Sequence, residues 1–199
     1  MAIEFSDGPF DDESMRSGQL LQRYRDDLRR VIEARLDRRL TGRLDASDVV
    51  QDVLVDASPK IQTWITDPDK SVFACLYQLA RTRVWRIHRD HISRSKRSVK
   101  REIQWGTIPD DSAVILAARI ASNDSTPSGH LIKAEQREHV QTALSQLDES
   151  DREILVMRIL EGLSANRVGE VLNISAPAVH MRHLRALQRI RPLLVSGQA

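Results

Sequence analysis

The sequence is poor in the residues that build sheets and disulfides. Aromatic residues make up 4% of the 199 residues, and no alternating run of strand length is present. Cys75 is the only cysteine, so no disulfide can form within the chain, which is typical of a reducing compartment. No apolar run approaches the ~20 residues of a membrane span, and the acidic start does not resemble a signal peptide. These absences predict a soluble, cytoplasmic, all-α protein.

The sequence motifs of the common enzyme classes are also absent. The sequence has no glycine-rich phosphate loop, nucleophile elbow or His-Glu metalloprotease signature. His88 with His91 and His180 with His183 are spaced three residues apart, but no cysteine accompanies them and acids are sparse. Cys75 lies among apolar neighbours and is expected to be a buried thiol. We therefore expect no enzyme, no metal site and no cofactor.

The charges are segregated along the chain although they nearly cancel. Lys and Arg number 30 and Asp and Glu 28, which gives a formal net charge of +2. Residues 1–13 contain five acids and no base, whereas residues 81–101 contain nine Lys or Arg and only one acid, Asp90. A concentrated basic stretch in a nearly neutral chain indicates a polyanionic partner.

The first half of the chain predicts a small helical domain. After a disordered acidic segment over 1–16, apolar spacing predicts one long amphipathic helix over 17–40, ended by Thr41 and Gly42. A second helix is predicted over 45–58, with Pro59 near its end, and a third begins near Ser71. We predict that this first domain covers residues 17–95.

A polar stretch over 96–131 separates this domain from a second one over 132–195. Asp, Asn, Ser and Pro residues predict a flexible linker there, in which residues 113–120 favour a short helix. In the second domain, Asp148 is expected to cap a helix that Gly162 terminates. The two domains are therefore expected to form two small helical bundles.

The stretch 161–191 predicts two helices joined by a tight turn. Ser164 is a helix-start residue, Asn173 tolerates a left-handed backbone, and Ser175 can cap the next helix. Pro177 falls in the first turn of that helix, where a missing N–H costs little. The second helix carries cations, and no acid occurs from Ser175 onward. This pattern is typical of a helix-turn-helix whose second helix enters the DNA major groove.

A plainer interpretation of the same stretch is a helical hairpin with a solvated basic face. Two short amphipathic helices with a polar turn occur in many bundles, and short motifs give false positives. The turn chemistry, the cap and the absence of acids favour DNA binding over a generic hairpin.

Two stretches of the chain resemble the bacterial RNA polymerase sigma factors. The C-terminal one, which resembles the promoter-binding region 4, is LDESDREILVMRILEGLSANRVGEVLNISAPAVHMRHLRALQRIR. The N-terminal one, LDASDVVQDVLVDA, resembles region 2, and FACLYQLARTRVWRIHRDHISR follows in place of its promoter-melting part. Having only these two domains resembles the extracytoplasmic-function group, in versions common in planctomycete bacteria. The resemblance covers about residues 19–94 and 132–194.

The resemblance implies a subunit that binds core polymerase, recognises and melts promoters, and so initiates transcription of a specific gene set. Its implied partners are the clamp of the largest polymerase subunit, the flap region, double-stranded and melted promoter DNA, and an anti-sigma factor. The polymerase-binding helix corresponds to the one that carries Asp48, Gln51 and Asp52. Taken without the resemblance, Asp48 would only favour a helix N-terminus.

The resemblance also implies contacts to the downstream promoter element. Cations follow phosphates and aromatic faces accept unstacked bases, and the matching residues here are Trp64, Lys70, Arg81, Arg83, Arg86 and Arg89. Thr82 and Cys75 depart from the family pattern, in which many relatives have Asn and Trp. Trp64 is also compatible with a core position, and Phe73 is expected to be core.

In the second helix of the helix-turn-helix, residues near its start are expected to meet bases, namely Ser175, Ala176, Ala178 and His180. Arg182 and Arg185 are placed for phosphates or guanine edges, and His183 is expected to be partly buried. The alternative function is a stand-alone regulator whose N-terminal helices dimerise or sense a signal. Exposure of Asp48 and Gln51 favours polymerase binding, whereas a dimer interface would bury them.

Overall fold

The computed structural model describes residues 12–91, 108–121 and 134–195, and all of its regular elements are helical. The helices are α1 (Asp12–Gln22), α2 (Arg25–Arg35), α3 (Ala46–Ala57), α4 (Ile61–Thr66), α5 (Val72–His91), α6 (Asp110–Ala121), α7 (Ala134–Ser145), α8 (Glu149–Leu155), α9 (Ala165–Leu172) and α10 (Ala176–Val195). A 3₁₀ turn covers Ser58–Lys60 and a π-helical turn covers Val156–Leu160. The described ranges contain no strand, which confirms the all-α fold.

The N-terminal helix is divided, so the single helix predicted over 17–40 is wrong. A turn at Arg23 and Tyr24 separates α1 from α2, and the backbone becomes extended at Leu36. The Asp37 carboxylate then accepts a hydrogen bond from the backbone N–H of Arg39 at 2.8 Å. Such a local bond competes with helical backbone bonds, so the chain leaves the helix before Thr41 and Gly42. The backbone of α1 begins at Asp12, inside the segment predicted to be disordered; residues 1–11 lie outside the described ranges.

Helices α2, α3 and α5 form the centre of an N-terminal unit, α1–α5. Asp45 caps α3 by accepting from the Ser47 N–H at 2.7 Å. One face of each helix is apolar at three- and four-residue spacing and is buried, as the sequence predicted. The buried side chains include Leu28, Val31, Ile32, Val49, Val50, Val53, Phe73, Leu76 and Ala80.

Helices α6, α7, α8 and α10 form the core of a C-terminal unit, α6–α10. Helix α6 lies within the stretch predicted as a linker, and it confirms the short helix expected there. Its apolar face is buried against α7 and α10 and belongs to the core of this unit: Ala113, Leu116, Ala117 and Ile120. The linker and domain boundaries stay predictions, since residues 92–107 and 122–133 lie outside the described residues.

Asp148 precedes α8 but does not cap it, contrary to expectation. Its side chain makes no capping bond. Its carboxylate instead accepts from Arg189 on α10 at 3.2 Å, beside the Asp151 carboxylate, which accepts from the same guanidinium at 2.5 Å. Gly162 follows the π-helical turn with a φ of 63°, which is the left-handed helix end that the sequence predicted.

The two units share an apolar core in this structure. Helix α9 packs on α5, and Ile154, Met157, Leu163 and Val168 belong to the same buried cluster as the N-terminal core. The C-terminal unit is thereby held against α2 and α5. Within the described part of the chain, no helix is both long and apolar enough to cross a membrane.

The buried histidine His88 makes stability depend on pH. It is 8% exposed, its Nε2 accepts the Asp37 N–H at 3.1 Å, and burial lowers its pKa from 6.5. A base with a lowered pKa favours folding above its unfolded pKa, and this contribution is lost as the pH falls through the folded pKa. We therefore expect the free energy of unfolding to fall as the solution is acidified from pH ~7 to ~5.

Replacing His88 by Gln should cost about 1 kcal/mol at pH ~7 through the weakened hydrogen bond and should make the pH dependence shallower. Urea unfolding at both pH values measures this. His180→Gln, at an exposed position of α10, is the matched control and should keep the wild-type pH dependence. An equally steep dependence in the His88 variant would contradict the assignment.

Candidate nucleic-acid interface

Helices α9 and α10 form the predicted helix-turn-helix. The Ser164 hydroxyl accepts from the Arg167 N–H at 3.2 Å and caps α9. Asn173 ends that helix in the left-handed conformation, with φ 53° and ψ 48°. Both sequence predictions are therefore confirmed, and the reversal between the two helices takes only three residues, 173–175.

The turn brings its own backbone against α9 at Gly169. The Ile174 N–H donates to the Gly169 carbonyl at 3.0 Å, and a Cβ built on Gly169 would lie 2.5 Å from the Ile174 carbonyl oxygen. Only a residue without a side chain allows this approach. Sequence reasoning missed Gly169, since a glycine inside a helical pattern signals by itself only a small loss of helix propensity.

The start of α10 is set by Ser175, whose hydroxyl accepts from the Ala178 N–H at 3.4 Å. Pro177 lies in the first turn, where its missing N–H breaks no helical bond. The free N–H groups and the helix dipole make this end electropositive, which favours an anionic ligand.

The predicted recognition residues lie together on the accessible N-terminal half of α10. His180, Arg182 and Arg185 are exposed, as is Ser175, whereas Ala176 and Ala178 are half-buried. The buried positions of this helix are Val179, Ala186, Ile190 and Leu194.

His183 is half-buried, as expected from the sequence. Burial lowers its pKa, with nearby Arg158 contributing in the same direction. It therefore takes no part in the exposed recognition surface.

Two exposed apolar residues beside the recognition residues of α10 were not anticipated from the sequence. Met181 is 51% exposed and Leu184 is 53% exposed, beside His180 and Arg185. The sequence could have indicated their exposure only through spacing, because neither residue lies on the same helix face as the buried Val179 and Ala186. Apolar side chains on such a helix can contact the methyl group of thymine.

The arginines of α5 differ in exposure and in their partners, so they do not form one continuous basic surface. Arg81 is largely buried and pairs with Glu153 of the C-terminal unit at 3.2 Å. Arg83 pairs with Asp52 of α3. Arg86 is exposed, and the Arg89 guanidinium lies 4.8 Å from the Trp85 ring centroid. Arg86 and Arg89 therefore lie on the solvent side of this helix, and Arg81 does not.

The predicted DNA-binding residues in the segment before α5 differ in their exposure to solvent. Trp64 is half-buried and packs against the N-terminal core. Lys70 is exposed and pairs with Asp67 at 2.7 Å across the turn. Phe73 is fully buried, which confirms its core assignment.

Cys75, on α5, is only partly buried. Burial raises the pKa of its thiol, so the neutral form is favoured.

Helix α3 presents a polar face opposite its buried valines. Asp48 and Gln51 are exposed. Asp52 is also exposed and holds Arg83, and Val55 is 65% exposed on the same side. The face that carries the three predicted polymerase-binding residues is therefore exposed in this chain.

This geometry defines a class of protein. A capped helix-turn-helix with a rigid turn presents an electropositive helix start, and the residues of α10 include arginines and no acid. These are the features of a DNA-binding protein that reads a groove with its second helix.

Comparisons with known proteins show what this chain is similar to. The family model Sigma-70, region 4, matches residues 143–192, which include α8, α9 and most of α10. The ECF RNA polymerase sigma factor ShbA of Streptomyces griseus is 44% identical over 50 residues, which are 25% of this chain and 26% of that protein. The RNA polymerase sigma factor CnrH of Cupriavidus metallidurans is 26% identical over 150 residues, 75% of this chain and 73% of that protein.

A solved structure of CnrH in complex with the cytosolic domain of CnrY is 22% identical, with a TM-score of 0.45, and covers 92% of this chain and 89% of that one. The matched domain and both relatives are those of RNA polymerase sigma factors, which confirms the resemblance expected from the sequence. In its alignment with the Streptomyces relative, this chain spans only 26% of that protein's length.

The exposed arginines of α10 lead to a test of DNA binding. Arg182→Ala with Arg185→Ala should weaken promoter binding and flatten its salt dependence by a slope of about 0.9 for each phosphate that these side chains neutralise in the wild type. Titrations of a labelled promoter duplex at several salt concentrations measure both quantities. Arg38→Ala with Arg43→Ala removes the same charge from exposed N-terminal positions and should leave the slope nearly unchanged. Equal slopes for the two double variants would exclude Arg182 and Arg185 from phosphate binding.

Proposed function

We propose that this chain binds core RNA polymerase, directs it to a set of promoters and helps to open them. The observation that carries this proposal is α10, which exposes His180, Arg182 and Arg185 at a helix without acids, in the part of the chain that matches sigma region 4. In this role α10 lies in the major groove of the upstream promoter element. Ser175, Ala176, Ala178 and His180 face base edges there, while the two arginines bind phosphates or guanine edges.

The proposed recognition is partly apolar. Methyl and methylene groups are presented where many DNA-binding helices present amides or hydroxyls. They belong to Ala176, Ala178, Met181 and Leu184. Thymine methyl groups are the matching feature in the major groove. A preference for A·T pairs at the centre of the upstream element is the expected consequence.

The N-terminal unit would hold the downstream element. Arg86 and Arg89 face solvent on α5, with the Trp85 ring beside Arg89, so phosphates and an unstacked base could be bound together there. Lys70 and Trp64 are proposed to contact the same strand from the preceding segment, and Arg83 from α5. No hydrolysis supplies energy in this mechanism, so binding of the exposed bases must offset the cost of unpairing.

The polar face of α3 is the proposed contact with the clamp of the largest polymerase subunit. Asp48, Gln51 and Asp52 are short side chains on a rigid helix, which suits directed hydrogen bonds and ion pairs with a basic partner. Contacts of the C-terminal unit with the flap region, and an anti-sigma factor as a further partner, stay predictions from the resemblance.

Transcription in vitro tests the proposal. The full chain is added to core polymerase that lacks any other sigma factor, with genomic fragments as templates, and the 5′ ends of the transcripts are mapped. A defined set of start sites that needs the chain is expected, and the variant Arg182→Ala with Arg185→Ala should lose it. A stand-alone regulator would bind DNA without core enzyme and would yield no start sites, which would overturn the proposal.

A further inference from the structure

A third exposed arginine of α10 lies in line with the two that are proposed to bind DNA. Arg182, Arg185 and Arg189 follow one another at spacings of three and four residues, so they share one side of the helix. We name these three residues the arginine row. The side chain of Arg189 is 57% exposed, and its position is about 6 Å beyond Arg185 along the helix axis. The arginine row therefore extends the basic side of α10 beyond its recognition residues.

Arg189 differs from the rest of the arginine row in its partners. Its Nη1 lies 2.5 Å from Asp151 Oδ2 and 3.2 Å from Asp148 Oδ2. Within the described ranges, no acid pairs with Arg182 or Arg185. Two members of the row are thus available to an anion, whereas the third already has two carboxylates beside it.

The two carboxylates are held at the start of α8. Asp148 immediately precedes that helix, and Asp151 lies in its first turn. The electropositive start of a helix stabilises negative charge there. The Asp151 side chain is only 9% exposed and the Asp148 side chain 77%, so one acid lies inside the contact with α10 and the other at its edge. The negative charge beside Arg189 is therefore fixed in place by α8.

The contact between α8 and α10 does not depend on this ion pair. Leu155 of α8 shares a buried apolar cluster with Ala186 and Ile190 of α10. Ion pairs between exposed side chains add little to stability, and most of the Arg189 side chain is exposed. The main consequence of the pair is therefore its effect on what else the Arg189 guanidinium can bind.

Phosphate is the ligand for which the carboxylates are direct competitors. A guanidinium forms charge-assisted hydrogen bonds with carboxylate and phosphate oxygens alike. Duplex DNA carries a phosphate every ~3.4 Å of its axis on each strand, so an exposed arginine in line with two DNA-binding ones meets a phosphate in the same complex. Asp148 and Asp151 occupy Arg189 and also repel an approaching phosphate.

We infer that Arg189 is a third ligand of α10 for the DNA backbone, and that Asp148 and Asp151 compete with phosphate for it and so weaken binding to any duplex. The inference rests on the proposed function, since it concerns the helix that is proposed to lie in the major groove. Phosphate contacts carry no sequence information. The residues at the start of α10 therefore decide where the chain binds, while the two acids limit how tightly it binds.

Neutralising the acids tests the inference on the full chain assembled with core polymerase. Asp148→Asn with Asp151→Asn keeps the size of both side chains and frees Arg189. The salt dependence of binding to a labelled promoter duplex should steepen by a slope of about 0.9, which corresponds to one further phosphate, and affinity should rise roughly fivefold. An unrelated duplex should gain by the same factor. A gain confined to the promoter would overturn the assignment to phosphate.

The matched control is Glu138→Gln with Glu149→Gln, which changes the net charge equally at two exposed positions of the same unit. It should raise affinity at most about twofold and leave the slope nearly unchanged. Core polymerase contributes equally to the slope of every complex, so its contribution cancels in the comparison. A slope change in the acid variant no larger than in this control would contradict the inference.

Substitution of Arg189 shows whether the effect passes through this side chain. Arg189→Gln alone should leave the slope near that of the wild type, because the acids already occupy the arginine, whereas Arg185→Gln should flatten it by about 0.9. In the Arg189→Gln background, neutralising both acids should no longer steepen the slope. An equal steepening without Arg189, or an equal flattening by the two arginine substitutions, would overturn the inference.

The fold and the proposed function are checked in the same series. Circular dichroism and denaturant unfolding compare all variants, and Arg189→Gln alters a largely exposed side chain, so its slope decides the question even if Asp151→Asn disturbs α8. If the wild-type complex gives specific start sites while the slope never depends on Arg189, the inference is wrong and the sigma-factor role stands. If the wild-type complex gives no specific start site, the proposed function itself fails.

Discussion

Replacing Gly169 by alanine is expected to unfold the helix-turn-helix. The new Cβ would lie 2.5 Å from the Ile174 carbonyl oxygen, a backbone atom that cannot rotate away as a side chain can. The turn and the start of α10 would have to shift together, and the hydrogen bond from the Ile174 N–H would be strained with them. We expect the free energy of unfolding to fall by roughly 2–4 kcal/mol and promoter binding to be lost.

Gly18 provides the matched control for this substitution. It is also a helical glycine, on α1, but nothing lies within 4 Å of a Cβ built on it. Alanine there should stabilise the chain by up to about 1 kcal/mol, because alanine favours the helix. Denaturant unfolding of both variants gives the two free energies, and promoter binding gives the second readout. Two variants of equal stability would show that the close approach at Gly169 carries no cost.

The features that the sequence predicted correctly are those with a local cause. Ser164 and Asn173 act on backbone groups within a few residues of themselves, so their types and spacing were enough to place both ends of α9. The buried faces of α3 and α5 follow from apolar spacing in the same way. Gly169 was missed because its constraint comes from a carbonyl that only the completed turn brings near.

The contact between the two units could not be read from the sequence. Nothing in the sequence indicates that the side chain of Glu161 is fully buried against Arg35. These partners are 126 residues apart, and no periodic pattern links them. The resemblance assigned Arg81 to DNA, and none of its neighbours along the chain indicates the ion pair with Glu153 that the structure shows.

Helix α6 shows how composition misleads about packing. Its polar flanks predicted a linker, and that interpretation treated the stretch 113–120 as a minor element. In the structure its face, including Leu116 and Ile120, is part of the C-terminal core. A short amphipathic helix is stable only with a partner surface, and that surface comes from α7 and α10, which follow later in the chain.

Reversing the charge of the exposed face of α3 is expected to abolish the association with polymerase. In the variant Asp48→Arg with Gln51→Ala, a cation replaces a carboxylate that would face a basic clamp, and one hydrogen-bonding side chain is removed. Like charges brought together at an interface cost several kcal/mol, so affinity for core enzyme should fall by at least about a hundredfold. Co-purification with core polymerase and a binding titration measure the loss.

The fold should survive this substitution, because Asp48 and Gln51 are exposed and the buried valines of α3 are untouched. Asp26→Arg with Gln22→Ala makes the same chemical change at exposed positions of α1 and α2 and should bind core enzyme as wild type does. The comparison also addresses the stand-alone alternative, since a regulator that never meets polymerase would lose nothing with either variant. If the α3 variant co-purifies as well as the control does, this face is not the polymerase contact, and the orientation proposed for the N-terminal unit on the enzyme must be abandoned.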